Sequence, residues 1–93
     1  MIDIINALLQ KKISSFFSKP VDPEGDSCPD YFSIITSPMD LSTVLAKIHN
    51  NAYGNFSSFR DDVDLIWSNA KLYNGKDSII SLLADQLSKW FKQ

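Results

Sequence analysis

With one cysteine and one histidine in 93 residues, the chain lacks the means for an internal disulfide or a histidine–cysteine zinc site. A reducing compartment is the natural setting for such a sequence. The lone thiol, Cys28, follows a run of acids, a setting that does not activate a thiol and argues against a nucleophilic role. His49 has no Cys or second His at ligand spacing. The three glycines, Gly25, Gly54 and Gly75, are isolated, so there is no glycine-rich phosphate loop. No apolar run approaches the ~18–20 residues of a membrane span. The first residues lack a basic start and a cleavage site, so no secretory signal is expected. No useful stretch alternates apolar and polar with period two, which leaves no basis for a sheet. Basic residues are missing from Pro20 to Asp40, where Asp22, Glu24, Asp26, Asp30 and Asp40 give −5 against +3 for the rest of the chain. A one-signed loop of this kind attracts a basic partner and is unsuited to gripping nucleic acid.

What is present is helical. At 44% hydrophobic and 22% charged, the sequence reads as globular rather than disordered, and its length suits one domain with one core. Ile2, Ile5, Leu9, Ile13 and Phe16 recur at three- and four-residue steps and predict a helix over 2–17. Leu41, Val44, Leu45 and Ile48 predict a second, with Asp40 as N-cap and Asn50-Asn51 as its end. Phe59, Val63, Ile66, Ala70 and Tyr73 predict a third from about Ser57 to Tyr73, and Ile80, Leu83, Leu87 and Trp90 a fourth from near Asp77-Ser78. Trp67 and Trp90 lie in the stripes as packing residues. Asp61, Asp62 and Asp64 form a solvated face rather than an acid pair, since 61 and 64 share a side and 62 turns away. Four helices with apolar stripes make a bundle.

Residues 18–40 break this pattern. Helix connections in bundles run to ~2–8 residues, and longer ones are generally functional or disordered. Here Val21, Tyr31, Phe32, Ile34, Ile35 and Met39 supply apolar anchors, and Pro20, Pro23, Pro29 and Pro38 stiffen the path. An ordered loop laid over one end of a bundle encloses a pocket.

Two segments carry the strongest signal: Pro29-Asp30-Tyr31-Phe32-Ser33-Ile34-Ile35 followed by Ser37-Pro38-Met39-Asp40-Leu41, and, about thirty residues on, Asn69-Ala70-Lys71-Leu72-Tyr73-Asn74. With Phe16-Phe17-Ser18-Lys19-Pro20-Val21-Asp22 before them and Ser78 and Leu83-Ala84 after, they resemble the bromodomain family over essentially the whole chain. The resemblance implies an all-α, left-handed four-helix bundle with a long ordered loop between its first two helices, forming a single module excised from a larger protein. It implies a non-catalytic, cofactor-free reader of acetyl-lysine in the nucleus, acting as a monomer on acetylated tails, histones first. By that resemblance Asn74 donates to the acetyl carbonyl, and Tyr31 reaches the same oxygen through a water. Phe17 and Val21 wall the acetyl methyl, Tyr73 lines the side, Ile80 stands at the mouth and Ala70 forms the floor. Pro20 and Cys28 complete the lining. Two stretches depart from the family. Ser15 and Phe16 stand where many members have Trp-Pro, which alters the apolar shelf and leaves Phe16 either on that shelf or in the core. Glu24, Gly25, Asp26 and Ser27 stand where relatives are often apolar.

Three other readings are open on the residues alone. A degenerate bromodomain would serve as a structural or docking piece with its pocket unused. A small enzyme would need a triad, metal cluster or phosphate loop that the sequence does not show. A helical DNA binder would need a basic face, for which Lys11-Lys12 is thin support. Asn74-Gly75 also reads as plain helix-end chemistry, because both residues tolerate the left-handed conformation.

Overall fold

A computed structural model describes residues 2–26 and 28–92. Among them the elements are helical throughout: α1 (Ile2–Gln10), a 3-10 segment (Lys12–Phe17), α2 (Tyr31–Ile34), α3 (Leu41–His49), α4 (Phe56–Asn74) and α5 (Ile79–Phe91). The four longer helices bury one apolar stripe each around Ile5, Leu8, Leu41, Val44, Phe59, Val63, Ile66, Ala84 and Leu87. This is the all-α four-helix bundle that the periodicity predicts. Among the described residues no helix is long and apolar enough to cross a membrane.

Helix starts follow from local chemistry. Asp40 caps α3 by accepting from the Thr43 N–H at 3.1 Å and from the Ser42 and Thr43 hydroxyls. Asn55 caps α4 through Ser58 N at 2.8 Å, and Ser78 caps α5 through Ser81 N at 3.1 Å. Each side-chain oxygen satisfies an amide that the helix leaves without a partner. At the other end of α3, Asn51 takes φ 54°, a left-handed turn that asparagine accepts with less strain than most residues.

The first helix differs from expectation. The predicted 2–17 helix stops at Gln10, because Lys11 is extended (φ −78°, ψ 130°). The Ser14 hydroxyl donates to the Lys11 carbonyl at 2.7 Å, alongside its own amide at 3.1 Å, and the Ser18 hydroxyl donates to the Ser15 carbonyl at 3.1 Å. Serines that capture backbone carbonyls favour tight turns over helix. The chain then turns so that Phe17, and not Phe16, enters the core. Phe17 is 5% exposed with its ring edge-on to Trp67 at 5.4 Å, while Phe16 is 57% exposed.

The long loop, in which Ser27 lies outside the described residues, follows a defined path on either side of it and holds the short helix α2. Its acidic part is knitted by Asp26 N to Asp22 O (2.8 Å), Asp22 N to Asp26 Oδ2 (2.9 Å) and Cys28 N to Pro23 O (2.9 Å). Two side-chain bonds fasten it to α4. Asn69 Nδ2 donates to Ser37 O at 2.8 Å, and the Tyr73 hydroxyl donates to Asp30 Oδ1 at 2.6 Å. The loop thus becomes one wall of a cleft whose other wall is α4. Opposite the cleft, Asp62 is no solvated acid. It accepts from Lys47 Nζ at 2.6 Å and from the Tyr53 hydroxyl at 2.7 Å, tying α3 and its following turn to α4. Lys71 pairs with Asp85 to link α4 with α5.

Candidate functional site: a loop-walled cavity at the end of α4

Between the loop and the ends of α4 and α5 lies a cavity of about 710 Å³. All nine residues singled out in the sequence line it: Phe17, Pro20, Val21, Cys28, Tyr31, Ala70, Tyr73, Asn74 and Ile80. They come from four separate parts of the chain, and each is delivered by a local feature described above. The 3-10 segment presents Phe17, and the proline-stiffened start of the loop presents Pro20 and Val21. The turn after Pro23 carries Cys28, whose carbonyl accepts the Tyr31 amide at 3.0 Å and so starts α2. Ile80 stands in the first turn of α5.

The cavity also has linings that the sequence reading did not assign. Met39 and Asp40 come from the quoted Pro-Met-Asp segment, and Ile66 from the apolar stripe of the third predicted helix. Ile66, Ala70 and Asn74 step by four along one face of α4, so helical spacing alone points to Ile66 once Asn74 is chosen. Phe16 lines the mouth with its ring largely in solvent, which settles the open question: it lies on the shelf side and not in the core. Lys19, Asp22 and Asp26 border the same opening, so the acidic loop reaches the site itself.

The polar groups are held in set directions. Asn74 ends α4, and its Nδ2 donates back to the Ala70 carbonyl at 3.0 Å. A primary amide has two N–H donors, so one remains after that bond. Tyr31 is buried, and its ring meets the Tyr73 ring at 5.0 Å between centroids. Burial, with the nearby Cys28 thiol, raises the Tyr31 pKa. An amide donor beside the uncharged side chains of Phe17, Val21, Tyr31 and Tyr73 suits an uncharged acceptor with an apolar stem.

Tyr73 gives a test of this geometry. The Asp30 carboxylate that accepts its proton, with some desolvation, pushes the phenol up to about 12, because ionisation would set two negative charges side by side. The raised value favours the protonated phenol in the folded state. The contact's contribution is therefore complete below the ordinary tyrosine value of about 10 and fades as pH rises through about 12. Ultraviolet titration of phenolate should show one tyrosine returning toward about 10 in Asp30→Asn. An unchanged profile in that variant means the Tyr73–Asp30 bond does not persist in solution.

Comparison with known proteins places this geometry. A family model described as Bromodomain matches residues 1–86. The chain is 41% identical over 90 residues to an ankyrin repeat, bromo and BTB domain-containing protein of Dictyostelium discoideum, covering 97% of this chain and 11% of that protein. It is 36% identical over 93 residues to the SWR1 complex bromodomain subunit bdf1 of Schizosaccharomyces pombe, covering 97% and 16%. The chain thus spans less than a fifth of the length of these relatives. Among solved structures, the second bromodomain of Candida albicans Bdf1, bound to an imidazopyridine, superposes with a TM-score of 0.93 at 32% identity over 98% of this chain and 89% of that one.

Proposed function

The chain belongs to the bromodomain family, whose members bind acetyl-lysine, and from that premise we propose that its loop-walled cavity reads acetylated lysine on basic protein tails, histone tails first. The observation that supports this most directly is the meeting, in one cavity, of the Asn74 amide with Tyr31, Tyr73 and an apolar wall of Phe17, Val21 and Ile80. Acetylation turns a cation into a neutral amide on an apolar stem. The free N–H of Asn74 donates to the acetyl carbonyl, Tyr31 reaches that oxygen through a water, and Phe17 and Val21 pack on the methyl. Pro20, Cys28 and Ala70 close the lining, and Ile80 limits the mouth. An unmodified lysine would lose hydration and meet a donor where its ammonium needs an acceptor, so it is rejected.

A neutral hydrogen bond contributes only about 0.5–1.5 kcal/mol net, so affinity for a single mark is weak. Asp22 and Asp26 at the mouth, with Glu24 on the same loop, add attraction for basic residues flanking the mark. The chain acts here as a monomeric, non-catalytic module of a longer nuclear protein. That setting fits the names of its relatives, a subunit of the SWR1 complex and the transcription factor GTE11 of Arabidopsis thaliana.

Calorimetric titration of the domain with acetylated and unmodified tail peptides, at low and high salt, is the test. Binding is expected only with the acetylated peptide, and should weaken as salt rises. Acetyl-dependent binding that ignores salt removes the acidic loop from the account. No binding across a broad peptide panel by folded protein favours a docking module with an unused pocket.

A further inference from the structure

Ser81 has no exposed surface and touches the end of α4, and no role in the reading above uses it. Its hydroxyl lies 2.6 Å from the Gly75 carbonyl and 3.4 Å from the Ala70 carbonyl. A hydroxyl has one proton, and the shorter contact takes it. The Ser81 oxygen then accepts from the Ser78 hydroxyl at 3.0 Å, while the Ser81 amide donates to the Ser78 oxygen at 3.1 Å. The Ser78 amide also donates to Gly75 O, at 3.2 Å. Both lone pairs of the Gly75 carbonyl are thus occupied, one of them by a buried hydroxyl.

Gly75 is the residue after Asn74, and it takes φ +81°, where a side chain would strain the backbone. The direction in which the chain leaves α4 therefore depends on what holds that peptide plane. Asn74 is fixed from the other side by its bond to Ala70 O, the same carbonyl that faces the Ser81 hydroxyl. We propose that Ser81 is a positioning residue for the acetyl-lysine site: by clamping the Gly75 carbonyl, it sets the orientation of the Asn74 side-chain amide. The inference rests on the acetyl-lysine reading. Without the Ser81 hydroxyl, Gly75 O keeps a single donor and the Ser78 hydroxyl loses its buried acceptor, so the exit from α4 is held less firmly.

The test follows the Asn74 side-chain NH2 resonances in the free domain, assigned by their absence in Asn74→Ala. In Ser81→Ala these resonances should move and exchange faster with water. The affinity for an acetylated tail peptide, read at a temperature where all variants are folded, should fall about two- to tenfold. Asn55→Ala removes the cap at the far end of α4, about 28 Å away for a helix of this length, and lowers stability without reaching the site. It should leave both readouts unchanged. Should Ser81→Ala not fold, Ser81→Cys, a similarly sized and weaker donor, is read in the same way. Resonances and affinity matching those of Asn55→Ala would reduce Ser81 to an ordinary core residue and overturn the inference. A wild-type domain that binds no acetylated peptide refutes the acetyl-lysine reading instead, and the NH2 resonances of the free domain still decide whether Ser81 orients Asn74.

Discussion

Replacing Asn74 with alanine is expected to weaken binding of an acetylated peptide by about ten- to hundredfold and to leave the bundle folded. The loss exceeds that of an average hydrogen bond because the acetyl carbonyl still enters the cleft and gives up bulk water, but loses its one direct donor and keeps only the water that Tyr31 holds. Leaving such a group unsatisfied costs about 1–3 kcal/mol, and each 1.4 kcal/mol is a factor of ten. Stability should change little. Asn74 is half-buried at the helix end, alanine is a better helix former, and the Gly75 amide still donates to Lys71 O at 2.9 Å. Calorimetry beside a thermal melt separates the two effects. Asn74→Asp is an informative companion, since it keeps the size and offers no donor when ionised. It should bind as poorly as the alanine variant. Full affinity in either variant would remove Asn74 from the site.

Phe59→Ala is expected to have the largest effect on folding, about 3–5 kcal/mol. Phe59 is completely buried in α4 and packs against the rings of Phe56 at 5.2 Å, Tyr53 at 5.8 Å and Phe91 at 5.9 Å. No small neighbour can swing in to fill a hole bounded by three rings, so most of the cavity remains. A chain of 93 residues has a total stability of roughly 5–14 kcal/mol, so this single change uses a large part of it. Urea denaturation should show a midpoint displaced far toward water. Phe16→Ala makes the contrast, with its ring largely in solvent, and should move the midpoint hardly at all. If the two variants lose equal stability, the assignment of which phenylalanine is core is wrong.

That contrast marks where the sequence was readable and where it was not. Apolar periodicity located all four long helices, and cap chemistry placed Asp40 and the Asn50-Asn51 end within a residue, because these signals are local. The step from Ile13 to Phe16 continued the same stripe on paper. Its failure comes from a local competitor, Ser14 capturing the Lys11 carbonyl, and a distant partner, the Trp67 ring waiting for Phe17. Periodicity sees neither. Asp62 shows the same limit: its neighbours on the helix mark it as surface, while Lys47 and Tyr53, which take it as their acceptor, arrive from another element. Every residue named from the motif lines the cavity, but Met39, Asp40 and Ile66 line it too, and the motif did not single them out. The fastening of the loop was not legible, because Asn69 and Tyr73 find Ser37 and Asp30 across thirty-two and forty-three positions of chain.

Those two fastenings have a kinetic consequence. The caps and stripes that form each helix involve residues a few positions apart, and such contacts form early and fast. The bonds from Asn69 to Ser37 and from Tyr73 to Asp30 require a long stretch of chain to close first, at an entropic cost that only the assembled α4 can offset. The loop's fastenings wait on α4, and the loop is expected to condense onto helices already packed. In unfolding, the wall bearing Tyr31 is then expected to detach before the helices separate. Any molecule lodged between that wall and α4 joins the late-forming part to the early-forming part, and slows the first step of the domain's loss.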